Sequence, residues 1–222
     1  MLKHLVLTPD RNEQGNDFKG AFKPESDRYA KWYMDRGDGV RTVRVDVSQS
    51  RSERRAAMYS AIEHAGNLVD RLALFCHGWG AGIQFGLSIG TDVERRLLVT
   101  FARHLAVHST DALRVALYCC STGDGPAPGR DGVGSFASYL FRELRDQGRP
   151  DARVFAHTDS GHTTRNADVL IFSAAAPDGE CPAERGTAAY RRLDERLHDK
   201  EDDLRWRAPY MTVEELRAEL GS

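Results

Sequence analysis

A chain of 222 residues with 41% hydrophobic side chains is long enough to bury a sizeable core as one large domain or two small ones. Its 31 basic and 33 acidic side chains nearly cancel, which argues against a nucleic-acid footprint or a polybasic membrane patch. Leu5-Val6-Leu7 is too short for a signal-peptide core and no stretch approaches the ~20 apolar residues of a membrane span, so a cytoplasmic protein without a membrane partner is expected.

In chain order, Lys3-His4-Leu5-Val6-Leu7-Thr8 reads as a first strand, followed by a polar loop from Pro9 to Pro24 that carries Gly15, Asn16, Asp17 and Gly20. Ser26 to Met34 fits a short helix. Val40 to Val47 alternates, with Val43, Val45 and Val47 on one face and Thr42, Arg44 and Asp46 on the other, the pattern of a strand at a sheet edge. A helix follows from Glu53 to Ala65, preceded by Ser52 and stopped by Gly66; its apolar stripe is Ala57, Met58, Ala61, Ile62 and Ala65.

Two short apolar runs then stop at reactive side chains. Leu72-Ala73-Leu74-Phe75-Cys76 ends at His77-Gly78, and Val115-Ala116-Leu117-Tyr118-Cys119 ends at Cys120-Ser121-Thr122-Gly123. Each reads as a buried strand. Between them, Gly78 to Gly90 looks like a short extended excursion or hairpin. Thr91 and Glu94 then open a helix with the stripe Val93, Leu97, Leu98, Phe101 and Leu105. Strands joined by such a crossover lie parallel. If they are neighbours, their ends stand about 4.8 Å apart, which sets an imidazole beside a thiol, the pairing that cysteine nucleophile chemistry requires.

Beyond Cys120 a glycine- and proline-rich loop spans Gly123 to Gly134, and Ser135 to Gln147 forms a helix with Phe136, Leu140 and Leu144 on one face. Arg153 to His157 and Val169 to Ser173 are expected strands. Charged helices run from Gly186 to about Lys200 and, capped by Thr212 with Glu215, from Thr212 to Leu220. Alternating strands and helices imply an α/β fold: an open, mostly parallel sheet with helices on both faces, plus C-terminal helices. One domain over residues 1–222 is expected, with a core of about 1–175 and a helical extension of about 176–222. In such sheets ligands bind beyond the carboxyl ends of the strands, where His77 and Cys120 fall. Cys76, Cys119, Cys120 and Cys181 are too few and too unevenly placed for a disulfide framework; buried thiols acting as small hydrophobes are the plain reading of Cys76 and Cys119.

At these strand ends the chain resembles the caspase-like cysteine peptidases, a group that includes caspases, metacaspases, legumains, separases and, with the most similar order and spacing, the bacterial CHAT domains. The resemblance covers about Leu72 to Ser173. It implies a caspase-like sheet, Cys120 as nucleophile, His77 as catalytic base and acid, and the backbone N–H groups of Gly78 and Cys120 as the oxyanion hole. An imidazole next to a thiol favours the nucleophilic thiolate, and each oxyanion donor is typically worth about 3 kcal/mol. The resemblance also implies a protein or peptide substrate, a sensor protein as regulatory partner, no cofactor and no metal. Substrate-binding residues would come from the loop after the nucleophile and from the stretch Thr158 to Thr163, giving Asp124, Asp159 and Ser160; either aspartate could select a basic residue. Arg130 and its neighbours lie where some members are cut on activation. Having cysteines at both 119 and 120 leaves the thiol unassigned by composition, although strand alternation sends Cys76 and Cys119 to one face.

Other readings compete. A caspase-like fold without activity would serve as a binding or scaffolding module. Gly86-Leu87-Ser88-Ile89-Gly90 matches the G-x-S-x-G of a serine α/β-hydrolase, but the nucleophile of such an enzyme needs its own strand and helix, and Ala81 to Phe85 alone separate the motif from the His77 strand end. Gly78, Gly80 and Gly82 do not continue into a helix as a dinucleotide loop would. His157, Asp159 and His162 are metal-ligand types in one loop, where hydrogen-bonded turn residues are the commoner outcome.

Overall fold

The computed structural model describes residues 2–10, 22–65, 68–125, 134–160 and 164–221. Most of the loop after Pro9, the helix stop at Gly66, the centre of the glycine- and proline-rich loop with Arg130, and His162 lie outside the described residues.

The chain folds as α/β around a six-stranded sheet. In sequence the elements are β1 (Lys3–Pro9), α1 (Lys23–Met34), β2 (Gly39–Val45), α2 (Arg51–Glu63), β3 (Val69–Phe75), β4 (Gly78–Trp79), β5 (Gly82–Ile83), β6 (Leu87–Ser88), α3 (Asp92–Val107), β7 (Ser109–Tyr118), α4 (Phe136–Asp146), β8 (Arg153–His157), β9 (Val169–Phe172), α5 (Ala188–His198), α6 (Leu204–Arg207), a 3₁₀ turn (Ala208–Tyr210) and α7 (Val213–Leu220). The main sheet has the order β2-β1-β3-β7-β8-β9. Its first five strands are parallel and β9 closes the edge antiparallel to β8. Gly78 to Ser88 forms a second, three-stranded antiparallel sheet, β4-β5-β6, the extended excursion expected between the two central strands.

Both faces of the main sheet are covered, which is why its central strands read as unbroken apolar runs. Along β3 and the residue after it, Leu72, Leu74 and Cys76 face one core with α2, α3 and α4, while Ala73 and Phe75 face the other with α1, Trp206 and Tyr210. β7 divides the same way: Val115, Leu117 and Cys119 on the first side, Ala116 and Tyr118 on the second. The C-terminal helices α5 and α7 complete the second layer against Phe155, Val169 and Ile171. β2 lies at the sheet edge, as its half-polar pattern requires. Among the described residues no helix is long and apolar enough to cross a membrane.

Several boundaries move for identifiable reasons. α1 starts at Lys23, because Pro24 is tolerated in a first helical turn. α2 is capped by Ser50 rather than Ser52: Ser50 and Glu53 exchange side-chain and backbone hydrogen bonds. Val93, expected on the buried stripe of α3, is 59% exposed in the first turn. The short α6 and the turn after it were not expected; they bury Leu204, Trp206 and Tyr210.

Candidate active site

The site begins with strand register. β3 and β7 pair in parallel from Leu72↔Val115 to Phe75↔Tyr118, and the Phe75 and Tyr118 rings stack with centroids 4.3 Å apart. One step further, Cys76 Sγ lies 3.4 Å from Cys119 Sγ, at the same separation of 43 residues. Continued one step past the paired positions, the same offset of 43 would set His77 level with Cys120 beyond the carboxyl rim of the sheet. The two residues singled out from sequence therefore lie two positions past the ends of adjacent parallel strands.

Alternation then separates the two vicinal thiols. Cys119 points into the core, fully buried; its Sγ donates to the Leu74 carbonyl at 3.3 Å, and burial pushes its pKa well above the ordinary thiol value. Such a thiol is inert. Cys120 follows at the turn and is half-exposed. Cys76 is buried beside Cys119, as a small hydrophobe.

His77 is half-buried, with its ring edge-to-face against Phe22 at a centroid distance of 4.7 Å. Gln84 fixes its backbone from both sides: the His77 N–H donates to Gln84 Oε1 (3.3 Å) and the His77 carbonyl accepts from the Gln84 N–H (2.9 Å). Gly78 is a glycine for want of space. A Cβ there would sit 2.8 Å from each of Cys119 Cβ, the Cys120 carbonyl oxygen and Thr122 Cγ2, so the chain after His77 lies directly on the chain around Cys120. Gly80 is equally crowded, with the Asp124 carbonyl 2.5 Å from where its Cβ would be.

The turn after Cys120 is held by its neighbours. Ser121 adopts φ +53°, a left-handed conformation that costs a non-glycine residue about 1 kcal/mol or more. Its N–H donates to the Asp159 carbonyl (3.3 Å), Gly123 N–H to the His157 carbonyl (2.8 Å) and Ala137 N–H to the Thr122 carbonyl (3.0 Å). Buried Thr122 also donates its hydroxyl to the Cys119 carbonyl at 3.1 Å. The end of β8 and the start of α4 thus clamp the turn that carries the half-exposed thiol.

The expected substrate-binding residues fall around this turn. Asp124 and Ser160 are exposed, and the Asp124 N–H donates back to the Ser121 carbonyl at 3.1 Å. Asp159 brings its backbone to Ser121, but its carboxylate pairs with Arg185 at 3.0 Å; the same guanidinium holds Asp168 at 2.6 Å. The hydrogen bond from Arg185 and that from the Ser160 N–H keep the Asp159 carboxyl below the usual carboxylate range. A basic substrate side chain at Asp159 would therefore have to compete with Arg185. Sequence reasoning missed Phe22, Gln84 and Arg185, which reach the site from distant or unpatterned segments.

The remaining motifs find structural explanations. Ser88 is buried in β6 of the small sheet, not at a main-strand end as a nucleophile elbow requires. Gly78 and Gly82 lie in β4 and β5, and Gly80 between them, so they do not open a helix. Among the described residues no group of three metal-type side chains comes together.

A part-exposed cysteine and a part-exposed histidine, each two residues past the end of one of two adjacent parallel strands, are the residue types that thiol nucleophile chemistry assisted by a histidine uses. Comparison with family models, curated proteins and solved structures returned no match to this chain.

Proposed function

We propose that the protein is a cysteine endopeptidase of caspase-like layout, in which His77 assists attack by the Cys120 thiolate on a peptide carbonyl. The observation that supports this reading is the shared register of β3 and β7, which extends through the buried Cys76 and Cys119 pair and, continued by one residue, would bring His77 level with Cys120. The mostly parallel six-stranded sheet flanked by helices is consistent with that layout.

In the proposed reaction the Cys120 Sγ adds to the carbonyl carbon and the backbone N–H groups of Gly78 and Cys120 receive the developing oxyanion. The protonated His77 gives its proton to the leaving amine. Water, deprotonated by His77, then hydrolyses the thioester and regenerates the thiol. Asp124, Asp159 and Ser160 would contact the substrate beside Cys120, in a reducing compartment where Cys120 remains a free thiol.

The test is a peptide-library cleavage assay on wild type, Cys120→Ala and Cys119→Ala. Cys120→Ala should abolish cleavage while Cys119→Ala keeps most of it. The reverse result would move the nucleophile. Absence of cleavage by wild type whose Cys120 alkylates freely would defeat the peptidase reading in favour of a binding module.

A further inference from the structure

At the opposite rim of the sheet, a cavity of about 900 Å³ opens between the amino ends of β1 to β3, helix α1 and the C-terminal segment. Arg71 in β3 is six residues before His77, about 20 Å along an extended strand, so this cavity is separate from the proposed catalytic groups.

Its charged residues are unequally satisfied. The three acids on the lining all accept hydrogen bonds: Asp38 from the Leu2 N–H (3.1 Å), Glu215 from the Thr212 N–H (2.7 Å), and Glu219 from Arg207 (3.0 Å) and Arg196 (3.1 Å). Arg207 is tied to Asp203 as well, at 2.8 Å. Arg71 differs. Half-buried, its guanidinium lies over the Tyr210 ring at 4.5 Å and the Tyr33 ring at 5.3 Å, and among the described residues it makes no hydrogen bond and no ion pair. Arg36 lies over Trp32 at 3.7 Å and donates to the Trp32 carbonyl, also with no carboxylate partner among the described residues.

A guanidinium held over a ring without hydrogen-bonding side chains keeps its N–H donors available for a bidentate acceptor. Aromatic walls beside it favour a flat apolar group. We propose that this cavity binds a small aromatic anion, a carboxylate or phosphate carried on a planar ring, with the anionic group on Arg71 and the ring against Trp32 and Tyr33. The inference is independent of the cysteine chemistry.

Titration calorimetry on the full chain tests it with four probes: adenosine monophosphate, indole-3-acetate, adenosine and inorganic phosphate. At least one of the two ringed anions should bind with a Kd below about 1 mM, at least tenfold tighter than adenosine or phosphate. Arg71→Met, which keeps the packing of the stem, should weaken that binding by about tenfold or more, and Arg71→Gln serves as a second variant should Arg71→Met fail to fold. Failure of both ringed anions to bind wild type would overturn the proposal, as would equal binding by a folded variant and wild type.

Discussion

The contact between the two strand ends can be probed at Gly78. Replacing it with alanine puts a methyl 2.8 Å from three atoms, two of them a backbone carbonyl oxygen and a core Cβ, where ordinary contact starts at 3.4 Å. Each overlap is then about 0.6 Å, and buried Thr122, hydrogen-bonded to Cys119, has no room to withdraw. Overpacking of this kind costs about 1–3 kcal/mol, and each kcal/mol lowers the Tm of a chain this long by about 2–4 °C. Relief by parting the strand ends displaces His77 from Cys120, and shifts approaching 1 Å in reacting groups lose about a hundredfold in rate. Calorimetry, the rate of Cys120 alkylation by iodoacetamide and peptide cleavage should all change together, with cleavage falling about tenfold to a hundredfold. Gly39→Ala is the control: its Cβ would meet one carbonyl at an ordinary 3.6 Å. A Gly78→Ala protein with the Tm and Cys120 alkylation rate of wild type would refute the packing on which the site is built.

Arg185→Ala should change stability little through the exposed Asp159 pair, yet release the Asp159 carboxylate from that guanidinium; substrate profiling should then show increased cleavage next to basic residues, and an unchanged profile would remove Asp159 from the proposed substrate-binding residues. Ser121→Gly should raise stability by about 1 kcal/mol or leave it unchanged, because glycine adopts φ +53° without strain, whereas Ser121→Val should unfold at lower denaturant. The third concerns acid. Burial, followed by the charge of Arg71, pushes the His4 pKa down to about 4, so the imidazole is neutral at pH 7 although Asp38 lies 3.4 Å away. The unfolded chain takes up that proton below its ordinary value near 6.5 and the folded chain does not, so stability is whole above pH 6.5 and declines as pH falls toward 4. The loss approaches about 3 kcal/mol. Denaturant titrations between pH 7 and 4 should show a shallower decline in His4→Gln than in wild type.

The parts of the fold that could be read from sequence are those where burial writes a pattern. β8 has the bounds expected, and the continuous apolar runs of β3 and β7 announce strands covered on both sides. The capping box of Thr212 and Glu215 marks α7 because it is a local exchange of hydrogen bonds. Harder elements take their stability from distant partners. Leu204 to Tyr210 has no period, and it folds because Trp206 and Tyr210 fill the second core beside Phe75 and Tyr118. The antiparallel direction of β9 did have a signal: Thr158 to Asp168 is too short a connection for the crossover that a parallel return needs.

The same reasoning explains why the pair at 119 and 120 is unambiguous in the fold though ambiguous in composition. A strand alternates its side chains, so of two consecutive thiols at most one shares a core face with Cys76. Register gives that place to Cys119, which packs against Cys76 and the Leu74 carbonyl. The following residue is at the rim, where the left-handed Ser121 turns the chain away and leaves Cys120 half-exposed. Sequence could supply this order because it depends on a period of two. Phe22 against the imidazole, Gln84 on its backbone and Arg185 on Asp159 depend instead on where unrelated segments return, and that follows from the whole sheet rather than from any stretch of residues.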